Sequence, residues 1–414
     1  MSEAISLNQS ALDDPWSVPL SELDPSQPSV FQTDSQFGFF ERLRAEDPVH
    51  YHEDSIFGPY WSITRFNDIM AVDKDHKRFS SDPGITLTER QADFSTPNFI
   101  SMDPPKHDVQ RKAVTGVVAP VNLAKLEPII RERAATILDS LPIGETFNWV
   151  DHVSIELTTQ MLATLFDFPF EDRKKLTYWS DMATSGELAG GPTPEPARRA
   201  AMLECLDYFQ RLWREREGIA PEVGIDLISM MANNPDTQEM DPMEYLGNLI
   251  LLIVGGNDTT RNSLSGTIRL LTDFQDQRKM VLDDPSLIDR MSHESLRMTS
   301  PVMHMRRTAT EDTEIAGQRI AENEKVLMWY GAANRDPSIF ANPDVFDLTR
   351  SNVEKHVAFG HGVHRCLGNR IAQMQLSMAY ERILDRFPNI HWTGKQKIEP
   401  IILVHAISSL KVNL

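Results

Sequence analysis

The sequence predicts a mainly α-helical protein with a small β portion, folded as one domain over residues 36–414 behind an N-terminal arm, residues 1–35. Three observations predict it. Apolar residues recur at i, i+3 and i+4 through most of the chain beyond His107, the spacing of amphipathic helices. Strand-like runs are short and few. No internal repeat, low-complexity tract or linker divides the 414 residues, although that length alone would allow two or three domains.

Taken in order, Met1–Ser35 is rich in Pro, Ser and Asp and reads as an arm laid on the surface or partly disordered. Pro59–Ile63 reads as a strand, flanked by Gly58 and by the polar run from Arg65. Residues Ser80–Pro105 lack helical periodicity and carry Pro83, Gly84, Pro97, Pro104 and Pro105. A loop of that length is usually functional or mobile. Helices are predicted over His107–Val118, Val121–Leu141 and His152–Phe166, and over Ala197–Glu217 after a Gly/Pro-rich connection. Asp241-Pro242 opens a long helix to about Phe274, with Asp at the cap and Pro in the first turn. Asp284-Pro285 opens another, followed by a second that carries His293–Met298. Strand-like pieces lie between Arg307 and Leu327. The last helix runs from about Cys366 to Phe387, stopped by Pro388, and Ile401–Val404 reads as a strand and turn.

Composition narrows the function. The chain is 41% apolar and 24% charged, long enough to bury a full core without staples. A net charge of −19 repels duplex nucleic acid and anionic lipid surfaces. Two cysteines, Cys205 and Cys366, cannot build a disulfide framework or a Cys₄ or Cys₃His zinc site. The apolar run Leu249–Val254 falls far short of the ~20 residues that span a bilayer. Residues 1–35 show neither a basic n-region nor an apolar h-region. A cytoplasmic protein with no membrane span and no nucleic-acid partner is expected.

Chemistry concentrates in Phe359-Gly360-His361-Gly362-Val363-His364-Arg365-Cys366-Leu367-Gly368. Two glycines permit a tight loop before a cysteine at a helix start, where free N–H groups and the helix dipole favour a thiolate and lower its pKa. A lone cysteine is more often an inert core residue, a reading that suits Cys205. The string is not a dinucleotide fingerprint, because Arg365 stands where the third glycine belongs. Three weaker patterns accompany it. Gly255-Gly256-Asn257-Asp258-Thr259-Thr260 sits inside the long helix, where each glycine costs about 1 kcal/mol relative to alanine. Either close approach of a flat ligand or gas molecule, or close helix packing, would compensate. Glu294 and Arg297 stand at i, i+3, ordinarily a surface ion pair. His107 and Arg111 lie one turn apart.

The ten-residue string resembles the haem-binding signature of the cytochrome P450 superfamily at every fixed position, and the other patterns follow in that family's order from about Phe39 to the C-terminus. The resemblance implies a single-domain cytochrome P450 fold with haem b (iron protoporphyrin IX) between the long helix and the cysteine loop, and Cys366 as its metal ligand. It implies Asp258 and Thr259 as the acid–alcohol pair that delivers protons during dioxygen activation. His107, Arg111, Arg307 and His364 become partners of the haem propionates, with Gly255, Phe359, Gly360 and Gly368 close to the cofactor. Glu294 and Arg297 become a buried structural pair completed by Arg350. The family's frequent Arg and Glu after the signature are replaced by Gln373 and Gln375.

The strings around Gly255–Ser263 and Met303–Ala309 resemble those of soluble bacterial alkane and fatty-acid ω-hydroxylases. By that analogy a small linear aliphatic substrate lies among Leu251, Val254, Met303, Met305, Ile402 and Leu403, with the Ser80–Pro105 loop; taken singly, each of these is more often plain core. Electrons are expected from a 2Fe-2S ferredoxin docked near Lys112 and Arg365, reduced by NAD(P)H through a flavin-dependent reductase, with O₂ as co-substrate. Three other readings compete: the same chemistry on a terpene or sterol, a peroxide-driven peroxygenase, which typically lacks the acid–alcohol pair, and a haem sensor or carrier without turnover.

Overall fold

The central helix, Pro242–Asp273, begins where the sequence places it. Asp241 Oδ1 accepts the Met243 N–H at 2.8 Å, and Pro242 occupies a position with no helical donor to lose. The computed structural model describes Leu12 and residues 14–220 and 223–414. In it the central helix packs against Ile155–Leu165, Lys174–Thr184 and Ile288–Thr299. Its second half buries Leu264, Ile268 and Leu271 in the largest apolar cluster, with Leu376 and Ile383 of the Asn369–Arg386 helix.

Among the described residues the β portion comprises three small sheets. β1 (Val49–His52), β2 (Tyr60–Ile63) and β3 (Phe79–Ser80) precede the helical region, and β4 (Phe147–Asn148) lies within it. β5 (His304–Ala309), β6 (Thr313–Ile315), β7 (Gln318–Ile320), β8 (Lys325–Trp329), β9 (His391–Ile398) and β10 (Ile407–Asn413) follow. The main sheet runs β1-β2-β8-β5-β3, with β2 parallel to β8 and the other pairs antiparallel. The second sheet runs β4-β10-β9, and β6 and β7 form a hairpin.

The predicted helices of residues 107–141, 152–166 and 197–217 are found within a few residues of their expected bounds. Elsewhere the chain departs from expectation. Asp284 caps a single 3₁₀ turn, Pro285–Leu287, which runs straight into Ile288–Thr299, so the two expected helices are one. Ile401–Val404 forms no strand. The Leu403 carbonyl accepts from Met303 N–H at 2.9 Å and Val404 makes only an isolated bridge to Val302, leaving a turn between β9 and β10. Of the predicted arm, residues 1–11 and 13 lie outside the described residues. Leu23, Val30 and Phe31, expected on a surface-laid or disordered segment, are fully buried in a cluster with Trp329 and Ile402. Among the described residues no single helix is long and apolar enough to cross a membrane.

Candidate active site

The cysteine string folds as a loop closed by the Cys366 N–H donating to the Phe359 carbonyl at 2.8 Å. Gly360 and Gly362 hold φ of +66° and +67°, and a Cβ on Gly362 would stand 2.3 Å from the Asp73 carbonyl oxygen. Only glycine fits there. Cys366 precedes the Asn369–Arg386 helix by three residues, because Gly362–His364 makes a 3₁₀ turn and Arg365 is extended. It is exposed to a water-sized probe and lines an internal cavity of about 550 Å³. Protein hems in its sulfur nonetheless: desolvation pushes the thiol pKa up, against the Gly368 N–H, Arg111 and Arg365. The expected depression is therefore corrected: here burial outweighs the donors, and the thiolate needs a bound cation.

The same cavity is lined by the middle of the central helix, contributing Gly255, Gly256, Thr259 and Thr260. Its two glycines serve different ends. A Cβ on Gly255 meets nothing within 4 Å, whereas one on Gly256 would lie 2.6 Å from Leu162 Cδ2. Gly255 leaves open space in the cavity, and Gly256 permits close packing of the Ile155–Leu165 helix. Thr259 Oγ1 donates to the Gly255 carbonyl at 2.8 Å. Asp258 does not reach the cavity wall. It is fully buried on the next face, where its carboxylate accepts from Arg261 Nη2 and, at 3.2 Å, from Ser180 Oγ. Arg261 also donates to the half-exposed Asp181 at 2.9 Å. Desolvation raises the Asp258 pKa, opposed by the Arg261 charge. Ser180, Asp181 and Arg261 carry no motif of their own. Arg261 follows Asp258 by three residues, a helical spacing that could have flagged the pair.

The propionate candidates gather at one end. Arg111, Arg307 and His364 line the cavity; His107 does not, but packs edge-on against His364 with ring centroids 4.4 Å apart. His364 Nε2 meets Ser81 Oγ at 2.9 Å, and His107 Nδ1 meets Asp108 at 2.8 Å. The remaining ring nitrogens, His107 Nε2 and His364 Nδ1, are buried with no partner. Arg111 donates to the Arg365 carbonyl. Arg307 pairs with Asp73 at 2.7 Å, and Asp73 also accepts from Tyr330 Oη at 2.7 Å and from the His361 N–H at 2.8 Å. Asp73, a buried acid on the Phe66–Lys74 helix, thus joins Arg307 to the cysteine loop, and nothing in the sequence marked it. Two orphaned ring nitrogens, two guanidinium groups, an accessible thiol and a glycine with open space beside it in one cavity suit a flat dianionic group with a thiolate-seeking metal. The residues fit haem b.

Of the substrate candidates, Leu251, Val254, Met305, Ile402 and Leu403 line the cavity. Met303 does not. It is fully buried against Phe40 and Trp329, beside Gly331, and is corrected to core. Residues Pro83–Gln91 of the predicted loop form part of the wall. So does His304, which the sequence did not single out: Nδ1 meets the Ile402 carbonyl at 3.1 Å, Nε2 has no partner, and burial pushes the pKa down to about 4. Glu294 and Arg297 are fully buried and joined by two hydrogen bonds of 2.8 Å, and Arg350 Nε donates to Glu294 at 3.2 Å. Arg297 also donates to the carbonyls of Asn334, Pro343 and Val345, tying the Ile288–Thr299 helix to the segment before the cysteine loop.

Comparison with known proteins agrees with this arrangement. A family profile described as cytochrome P450 matches residues 281–404. The solved structure of CYP153D17 from a Sphingomonas species is 44% identical, with a TM-score of 0.89, covering 95% of this chain and 99% of its own. Linalool 8-monooxygenase of Pseudomonas putida is 34% identical, covering 94% of this chain and 98% of its own. A methyl-branched lipid omega-hydroxylase of Mycobacterium tuberculosis is 27% identical, covering 96% of each chain.

Proposed function

This chain belongs to the cytochrome P450 family, and on that premise we propose that it hydroxylates a linear aliphatic substrate, a medium-chain alkane or fatty acid, preferentially at the terminal carbon. It is a haem-dependent monooxygenase that relies on redox partners and O₂. The observation that carries the reading is the cavity itself, whose wall holds Cys366, Gly255 and Thr259 together with the apolar Leu251, Val254, Met305, Ile402 and Leu403. Cys366 would hold haem by its iron, and Arg111, Arg307, His107 and His364 would pair with its carboxylates; the group would supply the reductive activation of dioxygen that places one oxygen atom in a C–H bond.

The chain's own groups do the rest. Apolar side chains exclude water and hold a hydrocarbon by dispersion alone. Selection of the terminal carbon falls to the shape of the wall, because an alkane end offers no polar handle. Asp258 moves protons: burial favours its protonated form, and Arg261 connects it to Asp181 at the surface. Thr259 stands one residue on, inside the cavity, with its hydroxyl proton given to the Gly255 carbonyl and its lone pairs free to accept. Lys112, Arg365 and Arg370 are exposed near the cysteine side, a basic face in an acidic protein that suits an acidic ferredoxin. The compartment proposed is the cytoplasm.

A titration of the ferric protein with n-octane, dodecanoic acid, linalool and a sterol, followed by product analysis, tests the reading. A shift to high spin with the linear compounds, and terminal alcohols as products, supports it. The 34% identity to a linalool 8-monooxygenase favours an acyclic terpene as the second reading, and a shift with linalool alone would select it.

A further inference from the structure

The wall formed by Ile401, Ile402, Leu403 and Val404 is a turn, not a strand, so its shape depends on what holds its ends. On one side the backbone is fixed: Met303 N–H donates to the Leu403 carbonyl at 2.9 Å and His405 N–H to the Pro301 carbonyl at 3.2 Å. The other side is held by a side chain. His405, nearly buried, directs Nε2 to within 2.9 Å of Asp34 Oδ1, an ionic contact off the alignment of a hydrogen bond. Asp34 sits between the helices Pro28–Gln32 and Gln36–Glu46 with a φ of +60°. Its other oxygen accepts from Arg269 Nη1 of the central helix at 3.0 Å, and Gln36 Nε2 donates to Oδ1 at 3.1 Å. Arg269 is itself stacked on Trp392 of β9.

We propose that Asp34 is a positioning residue for the substrate wall, fixing the turn 401–404 through His405 and bracing it against the central helix through Arg269. Asp34 does not line the cavity. It touches the two elements that do, and it brings the N-terminal segment with it: Val30 and Phe31 pack in the same apolar cluster as Ile402. Burial works against its charge, but His405 and Arg269 hold the carboxyl well below the usual carboxylate range, so Asp34 is a carboxylate and its pairing with Arg269 is ionic. Replacing the charge leaves Arg269 without a counterion, removes the contact that holds His405 and frees the turn, changing which chain shapes the wall accepts. The inference rests on the monooxygenase reading only in taking this cavity as the substrate site.

The test compares two ligands on the haem-loaded protein, imidazole and 1-dodecylimidazole. Both coordinate the haem iron through a ring nitrogen, and only the second puts a chain along the wall. For Asp34→Asn and Asp34→Ala the ratio of their Kd values should move against the dodecyl ligand by about fivefold, the upper scale for an ion pair that keeps part of its solvent. Asp34→Glu should recover most of it, and His405→Gln should reproduce the effect without adding to it in the double variant. The ferrous carbonyl band should stay that of the parent. A parental ratio in Asp34→Asn overturns the proposal, as does an equal loss for both ligands, which marks a general disturbance of the haem. The isosteric Asp34→Asn decides if Asp34→Ala fails to fold. Because the probe needs no native substrate, a failure here leaves linear-chain hydroxylation standing. Absence of terminal alcohols from the parent enzyme leaves this result standing.

Discussion

Gly255 and Gly256 are neighbours in one helix, so intrinsic propensity predicts the same gain, about 1 kcal/mol, when either becomes alanine. Their surroundings predict opposite outcomes. At Gly255 the new methyl meets nothing within 4 Å, and the propensity gain is kept. At Gly256 it lies 2.6 Å from Leu162 Cδ2, and Leu162, 1% exposed within the helical cluster, must retreat by about 1 Å at an overpacking cost of about 1–3 kcal/mol. The two variants should therefore differ by about 1–3 kcal/mol. With an unfolding entropy of about 2.1 cal/mol/K per residue, 414 residues translate that into about 1–3 °C in Tm. Differential scanning of the haem-depleted protein measures it, with Gly255→Ala above the parent and Gly256→Ala below Gly255→Ala. Haem-loaded protein should show the converse sensitivity: Gly255→Ala, whose methyl enters the open space of the cavity, should weaken n-octane binding more than Gly256→Ala, whose methyl is spent against Leu162. Equal melting temperatures, or weaker octane binding in Gly256→Ala alone, would refute the division of roles.

Further outcomes are expected. Cys366→Ala should remove the red-shifted Soret band of the ferrous carbonyl form; an unchanged band would mean another ligand. Asp258→Asn should slow product formation by tenfold or more and enlarge the solvent deuterium effect on kcat, while Thr259→Ala should divert reducing equivalents to hydrogen peroxide, measured as NADH consumed per product. Glu294→Ala strands the buried guanidinium groups of Arg297 and Arg350 at a cost of about 3–5 kcal/mol, read as loss of soluble, haem-containing protein. Stability should fall on acidification. Burial pushes His52 and His304 down from 6.5 to about 4 and His356 to about 3. The unfolded chain thus binds protons that the folded one refuses. Stability is full above pH 6.5 and is lost toward pH 4, by about 1.4 kcal/mol per pH unit for each histidine. Urea midpoints at pH 7.5 and 5.5 measure it, and His304→Gln should shallow the slope.

The sequence by itself determined the features that depend on neighbours along the chain. Asp241-Pro242 capped the central helix because a cap is a local hydrogen bond. Gly360 and Gly362 announced a tight loop because positive φ is a property of single residues. The spacing of Glu294 and Arg297 placed a carboxylate beside a guanidinium because the helical repeat does so anywhere. The cysteine string was legible on these grounds, and family membership followed from it.

Tertiary structure decided whatever depends on which surface meets which. Met303 and Met305 read alike in sequence, and packing sent one to the core and the other to the cavity. Gly255 and Gly256 were one motif until Leu162 closed on the second. Asp258 and Thr259 were paired by adjacency, but successive residues on a helix point about 100° apart, so the acid found Arg261 and Ser180 while the alcohol faced the cavity. The Cys366 thiol is raised where local dipoles alone would lower it, because desolvation sums over everything that surrounds the sulfur. Asp73, Asp34 and His405 entered the site's framework across more than 200 residues of chain. No local pattern encodes such contacts, since burial and pairing between distant segments exist only once the core has formed.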